Sequence, residues 1–205
     1  MTGRERQKQR TRQLLVDAYN ELVRGGQSPS VAQVAEAAEV SVATAYRYFP
    51  NPESLRADAA VAATATAPDF EAVLADAGDD PVVRIEALVR AIATWQLNDE
   101  PVWRGVLRAT LERWFAQYDG GGVRGAEVPI PVRSNARAEV VRLALRPLES
   151  ELSPAEFRRL VNTVMLTCGV EALIATRDAA ALNPDEARET MVAAARTLVL
   201  AARKN

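Results

Sequence analysis

Five times along the chain a polar residue is followed at once by proline and then by a long apolar pattern: Asn51-Pro52, Asp80-Pro81, Glu100-Pro101, Ser153-Pro154 and Asn183-Pro184. Proline suits the first turn of a helix, where its missing N–H would be unpaired anyway, and a polar side chain ahead of it can accept from the free amides. Each pair therefore marks a helix start, and the apolar residues behind it recur at three- and four-residue spacing. No segment alternates apolar and polar residues between hairpin turns. The one extended-looking stretch, Val128-Pro129-Ile130-Pro131-Val132, is broken twice by proline. The chain is expected to be all-α.

This pattern predicts a first helix over 6–24, with Leu14, Leu15, Ala18 and Leu22 on one face and Gly25-Gly26 stopping it. Two short helices follow, one capped by Ser30 with Gln33 completing a capping box, the other from Ser41 to about Tyr48. Longer ones are expected near 51–67, 81–98, 101–118, 134–149, 154–177 and 184–203, with a short one near 69–77. Residues 119–133 read as a mobile surface loop. Its Gly120-Gly121-Gly122 lacks the Lys-Ser/Thr that a phosphate loop requires. Two domains are expected, 1–50 as a helix-turn-helix module and 51–205 as a helical bundle.

Composition removes whole classes of chemistry. The 205 residues include no histidine and one cysteine, Cys168, which excludes zinc sites, imidazole-based triads and disulfides. No paired carboxylates or activated nucleophile emerge from the remaining Asp, Glu, Lys, Tyr and Ser, so no enzyme, metal or cofactor is expected. No apolar run approaches the roughly 18 residues of a membrane span, and the basic N-terminus lacks a secretory apolar stretch. A cytoplasmic location without membrane contact is the expectation. The formal net charge of −2 conceals an uneven distribution. The first twelve residues hold Arg4, Arg6, Lys8, Arg10 and Arg12 against Glu5 alone, whereas residues 57–205 hold 17 basic and 21 acidic side chains. A segregated basic segment on an acidic chain is the footprint of a polyanion partner when a suitable module follows it.

Residues 30–49 supply one. Two short helices meet at Ala38-Glu39-Val40, and Val34, Ala35, Val40, Ala45 and Phe49 recur at the spacing needed to pack them together and onto the first helix. That is helix-turn-helix geometry. The second helix leaves a face carrying Val42, Ala43, Thr44, Tyr46, Arg47 and Tyr48. Small residues let its backbone approach a groove, while Ser30, Ser41, Thr44, Tyr46 and Tyr48 offer hydroxyls to phosphate. Arg47 can reach a phosphate or a guanine edge, and Arg4, Arg6 and Lys8 complete the candidate contacts to double-stranded DNA.

The run Val34-Ala35-Glu36-Ala37-Ala38-Glu39-Val40-Ser41-Val42-Ala43-Thr44-Ala45-Tyr46-Arg47-Tyr48-Phe49, continuing through Asn51 and Glu53 to Leu55, resembles the helix-turn-helix signature of TetR-family transcriptional regulators. The resemblance covers about the first 57 residues and rests on the Tyr-x-Tyr-Phe ending and the Glu-x-Leu opening of the next helix. It implies a homodimer on an inverted-repeat operator, with a helical ligand-binding and dimerisation domain behind the DNA-binding module. A repressor released by a small apolar or aromatic effector is the expected form. Three positions depart from the pattern: Glu39 stands at the usual turn glycine, Ala43 at a common glycine of the second helix, and Pro52 at a common lysine. If Glu39 and Pro52 abolish binding, the alternative is a helical small-molecule-binding protein or enzyme whose module no longer binds DNA.

In the remainder, Phe157, Val161 and Val164 on one helix and Met191, Ala195 and Leu198 on the last form apolar stripes that would serve a four-helix dimer interface. Trp95, Trp103 and Trp114 cluster in two adjoining helices and are candidate walls of an effector cavity, with Asn98, Arg108, Thr110, Thr167 and Glu171 as orienting groups. Cys168 reads as a small buried hydrophobe.

Overall fold

The computed structural model describes residues 2–119 and 135–203. The expected loop, including Gly120–Gly122 and Val128–Val132, lies outside the described residues apart from Asp119. Every regular element described is helical: α1 (Gly3–Arg24), α2 (Val31–Ala37), α3 (Val42–Tyr48), α4 (Pro52–Ala65), α5 (Phe70–Asp76), α6 (Pro81–Leu97), α7 (Glu100–Asp119), α8 (Ala136–Leu145), α9 (Pro154–Met165), α10 (Val170–Ile174) and α11 (Pro184–Ala202). The chain is all-α, as its periodicity predicts.

The starts fall where the caps lie. Asn51, Asp80, Ser153 and Asn183 each accept a backbone amide of the first turn, with proline at the opening of α4, α6, α9 and α11. Thr2 and Glu5 form a further capping box that begins α1 at Gly3, three residues before the expected start. Three ends differ from expectation, each for a local reason. α4 stops at Ala65 because Pro68 disfavours helical backbone at the residue before it. α8 stops at Leu145 and tightens into a 3-10 turn over Arg146–Leu148, since Pro147 has no N–H to continue the ladder. The single helix expected over 154–177 is two, α9 and α10, broken at Gly169. That glycine takes φ 113°, and a Cβ there would collide with the Arg137 guanidinium, which donates to the Cys168 carbonyl at 3.1 Å and to Glu171 at 2.9 Å.

The helices group into two packing units. One comprises the described residues of Met1–Thr66 and Asp99–Val132, so α4 and α7 pack with α1–α3. Its core is built from Leu15, Tyr19, Val34, Ala45, Phe49 and Leu55. The apolar face of α1 is turned slightly from the expected one, leaving Leu14 exposed and burying Leu15, Val16 and Tyr19.

The other unit comprises Ala67–Asn98 and the described residues of Arg133–Asn205. α11 packs along α6 and against α9, with Arg90–Glu189 and Arg196–Glu86 (2.6 Å) bridging α6 to α11. Phe157, Val161, Val164, Met191 and Ala195 are buried in the core of this unit, and Leu198 packs against it. The stripe periodicity was satisfied by α6 and α8 of the same chain. The outward face of α11 carries Thr190, Ala193, Ala194, Thr197 and Leu200, and that of α9 carries Ala155, Arg159 and Asn162, with Leu166 exposed just beyond its end.

Arg84, which sequence reasoning missed, is the polar centre of this unit. Only 8% exposed, it donates to the carbonyls of Leu74 (3.0 Å), Gly78 (2.8 Å), Leu143 (2.9 Å) and Ala144 (3.0 Å). These acceptors lie at the C-terminal ends of α5 and α8, where carbonyls have no partner within the helix and the dipole favours a cation.

Candidate nucleic-acid interface

The turn between α2 and α3 is a Schellman closure. The Val40 N–H donates to the Ala35 carbonyl at 2.9 Å and the Glu39 N–H to the Glu36 carbonyl at 3.1 Å, which requires left-handed backbone at Glu39, observed at φ 54°. The position expected to prefer glycine is therefore held by a glutamate. Val40 closes the motif by packing against the core beside Ala35.

α3 is anchored by Ala45, fully buried, and by Phe49, 1% exposed. Its other side leaves Val42 and Tyr46 nearly half exposed, with Ala43 and Arg47 exposed beside them. This is the free face that sequence spacing predicts. Tyr48 differs: it is half-buried against the core, with the Arg47 guanidinium 5.8 Å from its ring centroid. Two expected phosphate donors are committed elsewhere. Ser30 caps α2, its hydroxyl donating to Gln33 Oε1 at 2.9 Å, and Ser41 caps α3, its hydroxyl donating to Thr44 Oγ1 at 2.8 Å. The Thr44 hydroxyl proton remains available, as do the hydroxyls of Tyr46 and Tyr48.

Arg4, Arg6 and Lys8 are exposed on the first turns of α1. Arg4, Gln7 and Lys8 share a surface groove of about 520 Å³ with Arg47 and Tyr48, so the basic end of α1 and the end of α3 face one concavity. A neighbouring concavity of about 440 Å³ is lined by Glu5, Lys8, Gln9 and Arg12. Arg12 itself is structural: it pairs with Asp58 of α4 and lies 5.1 Å from the Phe49 ring centroid. At the start of α4, Pro52 brings no N–H and the Ser54 amide is taken by Asn51 at 2.8 Å.

A second polar cluster ties α4 to α7. Arg56, 6% exposed, pairs with Glu53 and Glu112 at 2.8 Å each, Glu112 also accepts from Arg108 at 3.0 Å, and Arg108 reaches the Ser28 hydroxyl at 3.1 Å. Burial opposes the charge on Glu112, but hydrogen bonds from both arginines outweigh it and hold the carboxyl below the usual range. Nothing in the spacing of Arg56 and Glu112 announces this pair, 56 residues apart in the chain.

The candidate effector residues are divided between the units. In the first, Trp103 is buried, Thr110 donates to the Val106 carbonyl at 2.9 Å, and Arg108 is held by Glu112 and Ser28. Trp114 lies edge-on to Phe115 at 5.1 Å, and with Leu111 they leave an exposed apolar strip on α7. In the second unit Trp95 is half-buried, edge-on to Phe70 at 6.1 Å, and Asn98 ends α6 exposed. Thr167 donates to the Val164 carbonyl at 2.8 Å, and the exposed Glu171 has Arg137 as partner. Cys168 is 1% exposed and burial pushes its thiol up to about 11, as a small apolar side chain rather than a nucleophile. Among the described residues no group of acidic or cysteine side chains is arranged to hold a metal ion, and no single helix is long and apolar enough to cross a membrane.

No protein-family model matches the chain, and no curated protein matches it. Solved structures do. A protein from Mesorhizobium loti MAFF303099 assigned to the TetR family of transcriptional regulators aligns over 98% of each chain with TM-score 0.61 at 13% identity. A TetR-like transcriptional regulator from Rhodococcus sp. RHA1 aligns over 94% of this chain and 95% of its own, with TM-score 0.53 at 18% identity. A structure solved for the molecular basis of control of antibiotic production by bacterial hormones aligns over 90% of this chain and 97% of its own, with TM-score 0.56 at 21% identity. The chain has the all-α fold, opened by a helix-turn-helix, of the TetR-family regulators.

Proposed function

We propose that this chain, which has the fold of TetR-family transcriptional regulators, is itself one: a non-enzymatic DNA-binding protein that acts as a homodimer on an inverted-repeat operator. The observation that carries this is the exposed α3 face beside the basic start of α1, in a chain whose formal charge is otherwise acidic. Residues 1–50 form the DNA-binding module in this account, and 51–205 the ligand-binding and dimerisation part. The outward faces of α9 and α11, with Asn162, Leu166, Ala194 and Thr197, are the surfaces free to meet a second copy, because the stripes behind them are spent in the core. Repression fits such a dimer, which occludes the DNA it covers. A small apolar or aromatic effector that binds preferentially to a dimer geometry mismatched to the operator would release it, and a hundredfold loss of affinity needs about 2.7 kcal/mol of that preference.

The test is selection from a random duplex library with the full chain. The expected product is an inverted repeat with half-site centres about 10 bp or a multiple apart. Enrichment of no sequence would refute the proposal. For the effector, compounds that release the enriched duplex should also change tryptophan fluorescence through Trp95, Trp103 or Trp114, and a releasing compound that leaves all three undisturbed moves the site elsewhere.

A further inference from the structure

The free face of α3 is not uniform along its length. Its first turn presents Val42 and Ala43, exposed and uncharged, and of the two hydroxyls nearest them Ser41 spends its proton on Thr44, while Thr44, which keeps its own, is half-buried. Arg47 stands in the last turn, laid over the Tyr48 ring, and it lines the groove shared with Arg4, Gln7 and Lys8 of α1. Four other arginines of the same packing unit are committed to carboxylates, Arg12 to Asp58, Arg24 to Asp99, and Arg56 and Arg108 to Glu112, whereas Arg6 and Arg10 stand exposed on α1 outside the groove. Arg4, Lys8 and Arg47 have no carboxylate partner among the described residues. Cations gathered around one groove repel each other, and an anion placed between them converts that repulsion into attraction. The lining mixes point charges with the amide of Gln7 and the hydroxyl of Tyr48, donors suited to phosphate oxygens.

Resting on the DNA-binding reading above, we propose a division of labour along α3: the groove takes one backbone phosphate of duplex DNA, making Arg47 a positioning contact, and sequence is read by Val42 and Ala43 through thymine methyl groups. An arginine held at a phosphate is not free to pair with a guanine edge. The apolar first turn, which is the part of a recognition helix that meets base edges, can distinguish only the thymine methyl among the groups displayed in the major groove. Operator half-sites should therefore carry thymine where α3 enters.

The experiment measures affinity across a salt series for two duplexes of equal length, one carrying the enriched repeat and one of random sequence. Arg47→Ala is expected to weaken both by the same factor and to reduce the log–log salt slope by about 1. Arg4→Ala with Lys8→Ala should do the same. Replacing half-site thymines by deoxyuridine removes only the methyls, and should weaken the parent about fourfold per contacted methyl, at about 0.8 kcal/mol each, but Val42→Ser less. A loss on Arg47→Ala confined to the enriched duplex, or equal affinity of the parent for thymine and deoxyuridine duplexes, would overturn the division. If no sequence is enriched but Arg47→Ala still lowers the slope on random duplex, the regulator function fails while the phosphate groove stands.

Discussion

Glu39→Gly should make the protein more stable although it removes a side chain. Glu39 holds φ 54° in the turn between α2 and α3, fixed there by two hydrogen bonds that satisfy the last carbonyls of α2. For a residue with a Cβ this conformation costs about 1–2 kcal/mol, which glycine does not incur. Glycine in turn loses more unfolded-state freedom, worth about 0.4–1 kcal/mol. The difference leaves a net gain of roughly 0.5–1 kcal/mol. For a chain of 205 residues that corresponds to a rise in Tm of roughly 1–4 °C. Glu39→Ala keeps the Cβ and the strain, and serves as the control that removes the charge alone. Thermal and urea unfolding followed by far-ultraviolet circular dichroism measure both variants against the parent. A glycine variant no more stable than the alanine variant would refute the strain argument. Because Glu39 is an exposed anion on the module's surface, both variants should also bind random duplex DNA more tightly at low salt.

Arg84→Met should destabilise the protein by roughly 2 kcal/mol or more, since it strands the buried carbonyls of Leu74 and Ala144 and the part-buried ones of Gly78 and Leu143, which now share one guanidinium; a loss under about 1 kcal/mol in denaturant titration would show those carbonyls to be otherwise satisfied. Val40→Asp should cost about 1–2 kcal/mol and abolish duplex binding, because it places a charge in the apolar closure of the turn; retained melting and affinity would contradict the packing described for α2 and α3. Glu112 has a folded carboxyl held below its ordinary value, so its contribution is complete above the usual carboxylate range near about 4.3 and fades as pH falls through the depressed value. Glu112→Gln should lower stability at neutral pH and flatten the acid limb of the stability profile, and an unchanged limb would remove the Arg56–Glu112–Arg108 cluster from the account.

The helix starts were legible because capping is local: Asn51, Asp80, Ser153 and Asn183 act within three residues of themselves. The module of α1–α3 was legible for a related reason, since Val34, Ala35, Val40, Ala45 and Phe49 lie close in sequence as well as in space. What failed was long-range. The break at Gly169 depends on Arg137, 32 residues earlier by number, whose guanidinium occupies the space a Cβ would need. The stripes through Val161 and Ala195 correctly marked buried faces, but periodicity carries no information on whether the covering helix belongs to the same chain or another. The three tryptophans are neighbours in sequence, yet Trp95 belongs to one packing unit and Trp103 and Trp114 to the other. Arg84 was hidden in an apolar run, where a lone cation at helical spacing resembles a solvated side chain until its four carbonyl acceptors are known.

The central claim is that two copies of the α3 face meet DNA together. Hydroxyl-radical footprinting of the full chain on the enriched duplex tests it most directly. Two protected windows related by a twofold axis, with centres about one helical turn or a multiple apart, are the predicted result. A single asymmetric window that persists as protein concentration rises would contradict it.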